Sequence, residues 1–253
     1  MTVEIAFFLL GLFFGSFFNV LIDRIPKGEQ FLKGRSHCEY CLHPLSWYDL
    51  IPIISFLSTG GKCRYCHKKL SWKYPGFELL TGILFALTYF LLPEKNLTSL
   101  LYFLFLTSIF IVVFFIDLQN FIIPFVIVLP GIVIAYLYLF FIHPESLFTS
   151  FLSAIGAAFF FLILFLLTKG KGMGFGDVVY AFFMGSVLGF PGILVGLYIA
   201  FILGAIIGLL YVILKKKKFH GTAIPFGPFL VLGTFLSLFL NYHWFFQLLG
   251  LPL

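Results

Sequence analysis

The sequence predicts an all-α protein that passes several times through a membrane, and three observations support this. The 253 residues are 61% hydrophobic and 10% charged, where soluble domains carry about 25% charged residues. Uncharged apolar runs recur at lengths near the roughly 20 residues a helix needs to cross a bilayer. The 16 Lys and Arg residues gather in a few segments between those runs rather than spreading over a surface.

Taken in order, the runs predict about eight transmembrane helices, at 5–22, 74–92, 97–116, 122–142, 147–168, 178–190, 192–214 and 226–240. The first run could be mistaken for a secretory signal. However, no Lys or Arg precedes it, no small-residue cleavage site follows it, and basic residues begin just after it, as expected for an anchored first helix. Pro191, Pro225 and Pro228 interrupt the sixth to eighth runs, because proline cannot continue a helix ladder.

Orientation follows from the cations, since Lys and Arg collect in cytoplasmic loops. Nine lie from Arg24 to Lys73, two are Lys169 and Lys171, four form the run 215–218, and Lys95 stands apart. Eight helices place the three basic segments on one side, so the N-terminus is expected outside. The chain then divides into a first helix (1–22), a cytoplasmic loop (23–73) and a seven-helix membrane region (74–253). The charge of +6 accompanies helix flanks and anionic lipid headgroups rather than a groove with aromatic platforms, so no nucleic-acid partner is expected.

All four cysteines fall in the large loop, as Cys38-Glu39-Tyr40-Cys41 and Cys63-Arg64-Tyr65-Cys66, with 21 residues between the pairs. Each pair offers two thiolates from one turn, and two such turns complete a closed tetrahedral zinc site with a structural role. Two disulfides or a redox pair would need a more oxidising compartment than the cytoplasm. His37, His43 and His67 are alternative ligands, though four cysteines already fill the site. A metal suits this loop because about fifty residues bury too little apolar surface to be stable alone. Its apolar stretch at 50–57 is expected to rest on the membrane surface or on neighbouring helices.

Asp117 and Asp177 are the only aspartates beyond residue 50, and each stands where an apolar run meets a polar break. An ionisable group in that position points to function. Two carboxylates sharing a site cannot both ionise cheaply, so one keeps a proton while the other activates water for attack on a peptide carbonyl. Each acid also has a plainer reading: Asp177 as N-cap of the sixth helix, and Asp117 as a solvated loop residue ending the third. A different class, a proton-coupled carrier, would use the two acids as relay groups, but carriers place such groups at the midplane between repeats. Glu94 and Glu145 fall in outer loops. Glu78 opens the second helix, suited to dipole compensation or to substrate or cofactor binding. Ser16 and Asn19 are expected to bond between helices, at about 1 kcal/mol each. His220 and His243 have no nucleophile beside them.

The motifs resemble the type IV prepilin peptidase family in order and over nearly the whole chain. They are Gly15-Ser16-Phe17-Phe18-Asn19-Val20 through Arg24-Ile25-Pro26, Gly61-Lys62-Cys63-Arg64-Tyr65-Cys66 with Tyr74-Pro75 and Glu78-Leu79, Ile116-Asp117, Gly174-Phe175-Gly176-Asp177-Val178, and Pro225-Phe226-Gly227-Pro228. The resemblance implies a membrane aspartic endopeptidase of the bacterial inner membrane with its catalytic side facing the cytoplasm. It would cleave the basic leader of type IV prepilins and pseudopilins after a glycine, with Asp117 and Asp177 catalytic and Cys38, Cys41, Cys63 and Cys66 holding zinc. It further implies methylation of the new α-amine with S-adenosyl-L-methionine, for which no glycine-rich fingerprint names binding residues. Phe125, Val179 and Lys73 depart from the family pattern and bear on substrate range.

Overall fold

The computed structural model describes residues 2–31, 34–92, 95–215 and 224–240. Glu94, the lysines at 216–218, His220 and His243 lie outside the described residues. Eight α-helices are described: α1 (Thr2–Arg24), the single-turn α2 (Ile54–Ser58), α3 (Lys73–Leu91), α4 (Leu97–Asn120), α5 (Phe125–Ile142), α6 (Leu147–Leu167), α7 (Phe175–Lys215) and α8 (Gly227–Phe239). Six are long and apolar enough to cross a membrane, namely α1 and α3 to α7, while α8 is a shorter apolar helix. No strand occurs among the described residues.

Several boundaries differ from the sequence expectation, and three bear on the candidate site. The predicted sixth and seventh helices form one element, α7, bent at Gly189 (φ 59°, ψ −171°) and the extended Phe190. Only glycine tolerates that conformation, the residue before proline is pushed towards extended geometry, and Pro191 starts the second limb without needing its missing N–H. Three residues thus turn the chain where a loop was expected. α4 runs four residues past the predicted end at Ile116, because Asp117, Gln119 and Asn120 are polar yet still keep the helix ladder. It stops at Phe121, whose N–H donates to the Asp117 carbonyl at 2.9 Å and whose φ of 59° leaves the helix. α7 begins three residues before the predicted start.

The chain forms two compact units, Met1–Val112 and Val113–Leu253. In the first, α1 and α3 run antiparallel in a fixed register. A side chain at Gly11 would strike the Gly82 backbone at 2.7 Å, one at Gly15 would strike Glu78 Cα at 2.7 Å, and Asn19 Nδ2 donates to the Tyr74 carbonyl at 3.2 Å. Each turn up α1 therefore meets a turn down α3, with small residues allowing the close approach. Asn19 bridges helices as expected, and the Ser16 hydroxyl lies within bonding reach both of the Glu78 carboxylate of α3 and of the Leu50 carbonyl of the loop, the latter at 3.4 Å. The buried Thr88 and Thr107 hydroxyls, 2.9 Å apart, join α3 to α4.

In the second unit, α7 packs against α5, α6 and α8. Gly185 lies directly on the backbone of Ala154 in α6, and Gly196 and Gly233 admit α7 and α8 to backbone contact. Ser186 Oγ donates to the Tyr136 hydroxyl of α5 at 3.1 Å, and Ser237 Oγ of α8 donates to the Gly192 carbonyl at 2.8 Å. Large apolar side chains stay exposed along the helices, among them Phe13, Phe90, Phe141, Phe148 and Leu214.

The α1–α3 register makes Gly15→Val an informative substitution. Overpacking of this kind costs about 1–3 kcal/mol, so thermal unfolding in detergent is expected to shift to lower temperature, whereas Gly156→Ala, where the space is open and the backbone helical, should not lower it.

Candidate active site and metal centre

The second unit contains both aspartates that stand at apolar boundaries. Asp117 occupies the last turn of α4 and is buried, with 5% of its surface exposed. Its Oδ2 accepts from the Gly227 N–H at 2.9 Å. This places a carboxylate against the first turn of α8, where free N–H groups and the helix dipole favour negative charge. A Cβ on Gly227 would collide with the Asp117 carboxylate, so the glycine is what admits the acid. Asp117 is thus not the solvated loop residue that its polar neighbours suggested.

Asp177 is the third residue of α7 and is 8% exposed. Its Oδ2 accepts from the Gly174 N–H at 3.0 Å, while its own N–H donates to the Gly174 carbonyl at 3.2 Å. Helix capping is therefore part of its role, although from the third helical position rather than the N-cap. Gly176 allows the α7 start to sit against Ile123, since a Cβ there would lie 2.9 Å from the Ile123 Cβ.

The two carboxylates are near enough for the Asp117 charge to act on Asp177. Each uses Oδ2 to hold a backbone N–H, and neither Oδ1 has a hydrogen-bond partner among the described residues. No described cation pairs with either acid. Two buried carboxylates of like charge, fixed on one side and open on the other, can share a proton and orient a water molecule between them. The sequence singled out both acids, but it identified the Gly227 donor only as part of the Pro225-Phe226-Gly227-Pro228 motif. Nothing in the local pattern said that this glycine meets a residue 110 positions away.

The four cysteines come together in the first unit, with all four Sγ atoms within 4.8 Å of one another and Cys38 and Cys66 Sγ 3.9 Å apart. Tetrahedral zinc with bonds near 2.3 Å needs sulfurs about 3.8 Å apart, so the cluster fits with slight contraction. Both pairs form the same turn. Leu42 and His67 donate back to the Cys38 and Cys63 carbonyls at 2.9 Å, and each adopts a left-handed φ, 56° and 58°. Short antiparallel bridges, His37 with Pro44 and Lys62 with Lys69, close the turns.

Burial opposes ionisation of Cys63, but the Cys66 and Tyr65 N–H groups outweigh it and bring the thiol down to about 7. At Cys66 the Lys68 N–H favours the thiolate, yet desolvation and the three other sulfurs prevail and push it up to about 11. A dication suits such a cluster because it removes the repulsion that successive thiolates create. None of the three loop histidines joins it: His43 lies on the Tyr65 ring at 3.7 Å, and His37 Nδ1 is 3.4 Å from Arg24. Asp49 ties the stretch between the turns to the second turn, accepting from Arg64 Nε at 2.8 Å and the Tyr65 hydroxyl at 3.0 Å.

Elemental analysis of the purified chain is expected to find one zinc per molecule. Cys38→Ser or Cys63→Ser should lower that value towards zero. Because protons compete for thiolates, metal retention is expected to fall as pH is lowered through 7, and retention unchanged down to pH 4 would exclude a thiolate site.

Comparison with protein families matches residues 9–92 to the Bacterial Peptidase A24 N-terminal domain and residues 104–209 to the Type IV leader peptidase family. Among curated proteins, the chain is 32% identical over 214 residues to the prepilin leader peptidase/N-methyltransferase of Myxococcus xanthus (strain DK1622), covering 80% of this chain and 61% of that one. It is 30% identical over 268 residues to the protein of that name from Aeromonas hydrophila, covering 91% and 88% of the two chains. With the Bacillus subtilis (strain 168) protein, identity is 32% over 241 residues, covering 91% of each. No solved structure matches the chain. Coverage of nearly the full length at this identity, with both domains in order, makes the chain a member of the type IV leader peptidase family.

Proposed function

We propose that this protein is a multi-pass membrane aspartic endopeptidase that removes the leader of type IV prepilins and pseudopilins, and that it then N-methylates the amine it exposes. The observation that carries the hydrolytic reading is the pair of buried acids, Asp117 and Asp177, each fixed through one oxygen and open at the other. In the reaction, one carboxylate takes a proton from water as the water oxygen bonds to the peptide carbonyl carbon. The other carboxyl donates its proton to the carbonyl oxygen. Collapse of the tetrahedral species breaks the C–N bond, a proton passes to the departing nitrogen, and the pair again holds one proton between its members.

Topology agrees with this assignment. The clustering of Lys and Arg supports a cytoplasmic position for the ends of α4 and α7 that bear the acids, the side on which an uncleaved prepilin would present its basic leader. A proton relay through the bilayer would need acids at mid-helix, whereas these stand in a last turn and a first turn. In the second activity, S-adenosyl-L-methionine would supply the methyl group, as the names of the relatives indicate. Zinc held by Cys38, Cys41, Cys63 and Cys66 would be structural, with no open position for catalysis.

With a prepilin substrate in detergent, Asp117→Asn and Asp177→Asn are each expected to lower cleavage by about 10⁴-fold or more, with thermal unfolding retained. Normal turnover by either variant would remove the pair from the mechanism. Gly227→Ala leaves both acids in place but displaces the Asp117 carboxylate from its N–H. A misplacement near 1 Å costs on the order of 10²-fold, so cleavage is expected to fall by that amount, chiefly in kcat.

A further inference from the structure

The first unit contains a cavity of about 220 Å³ between the end of α1, the start of α3 and the cysteine loop. Two buried acceptors line it. Asn19 is 7% exposed, and its amide orientation is fixed because Nδ2 donates to the Tyr74 carbonyl. Its Oδ1 consequently faces away from that bond, buried and without any hydrogen-bond partner. Leaving such an oxygen unmatched costs about 1–3 kcal/mol, a cost that a donor entering the cavity would remove.

The second acceptor is Glu78, 7% exposed and one turn along α3 from Tyr74. Its Oε2 accepts from the Ile53 N–H at 2.7 Å. Ile53 is the centre of a tight turn closed by the Ile54 N–H on the Pro52 carbonyl at 2.5 Å, with φ 60° and ψ −49°. That hand of γ-turn is rare and strained, and a β-branched residue there persists only when its surroundings hold it. The turn fixes Glu78 at the cavity wall, and no described cation pairs with its charge. The other lining acids differ: Asp23 pairs with Lys73 at 3.2 Å, Asp49 pairs with Arg64 at 2.8 Å, and Glu29 and Glu39 are exposed to solvent. Arg24 is committed to the carbonyls of Gln30 and Arg35.

We propose that this cavity binds a primary ammonium group, with the Asn19 Oδ1 and the Glu78 carboxylate as its acceptors. An ammonium brings several N–H donors and one positive charge, which matches an unpartnered carbonyl beside an uncompensated carboxylate. Val20, Leu50 and Phe56 add apolar wall for the group that carries the ammonium. Two sources share this chemistry, the newly exposed N-terminus of a cleaved substrate and the aminoacyl end of S-adenosyl-L-methionine. The choice between them rests on the methyltransferase reading above; the ammonium site itself rests on the geometry.

Binding to the full chain in detergent, measured by calorimetry, tests the proposal with two pairs of probes. One pair is a hexapeptide with a free N-terminal Phe and its N-acetylated twin. The other is S-adenosylhomocysteine and 5′-methylthioadenosine, which lacks the aminoacyl ammonium. Within at least one pair the ammonium-bearing probe is expected to bind tenfold or more tightly. Glu78→Gln, which keeps an acceptor for the Ile53 N–H, should erase that preference, and zinc content serves as the control for folding. A preference lost in the peptide pair assigns the site to the substrate amine; one lost in the nucleoside pair assigns it to the cofactor. If the wild type shows no preference in either pair, or if Glu78→Gln leaves the preference intact, the proposal is overturned, and the wild-type comparison decides this even if the variant does not fold. Transfer of labelled methyl from S-adenosyl-L-methionine to the free-amine peptide is a separate measurement, and its failure would remove the methyltransferase reading while leaving the ammonium site standing.

Discussion

A buried carboxylate without a cation must find backbone N–H donors, and the three such acids here show how the chain meets that requirement. Asp117 takes the Gly227 N–H, Asp177 the Gly174 N–H and Glu78 the Ile53 N–H. Each donor stands where ordinary side chains or ordinary turns would not allow it: a glycine that must lack Cβ, a glycine just ahead of a helix, and an isoleucine in a strained turn. One N–H per acid, joined at Glu78 by the Ser16 hydroxyl, orients it but brings no formal positive charge. The acids that only organise the loop, Asp23 and Asp49, are instead matched with Lys73 and Arg64. This division separates acids available for chemistry from those already neutralised by a partner.

The same economy explains the cysteine loop. Apart from Phe56 and the two cysteines Cys38 and Cys63, it buries little apolar surface, and Trp47, Ile54, Leu57 and Trp72 remain exposed. Its order comes from directional contacts: two equivalent turns facing four sulfurs, Asp49 reaching Arg64 and Tyr65, and Glu78 holding Ile53. A metal at the sulfurs would fix the turns relative to each other, and Glu78 attaches the stretch between them to the membrane helices. The loop is thereby tied to α1 and α3 at the wall of the cavity that Asn19 and Glu78 line.

Much of this was legible in the sequence because it depends on composition and on local spacing. Apolar run length located the long helices, Cys-x-x-Cys spacing located the cysteine cluster, and the scarcity of acids past residue 50 isolated Asp117 and Asp177. The failures have a common cause. Hydropathy ends a helix at its first acid, so α4 was cut at Ile116 although the backbone ladder continues through Asn120. Pro191 was read as a break between two helices, but Gly189 and Phe190 turn the chain within α7 itself. Ser16 was expected to bond between helices and does reach Glu78 of α3, but its second neighbour, the loop carbonyl of Leu50, had no local signal. Partners such as Gly227 for Asp117, separated by 110 residues, depend on tertiary register, which no window along the chain contains.

Register also accounts for why the two proposed chemistries can be held by separate groups of residues. In the second unit, small residues on α7 bring α6 and α8 to backbone contact, which fixes the α8 start that holds Asp117. In the first, Gly11 and Gly15 set α1 against α3 so that Asn19 and Glu78 face one cavity. Hydrolysis calls for two acids that repel and can share a proton, whereas recognition of an amine calls for acceptors with no proton of their own to give. A single cluster would serve both poorly, since a carboxyl protonated for the first task is a weaker acceptor for the second. Distributing the acids over two helix contacts, each locked by glycine, lets each group keep the charge state its task requires.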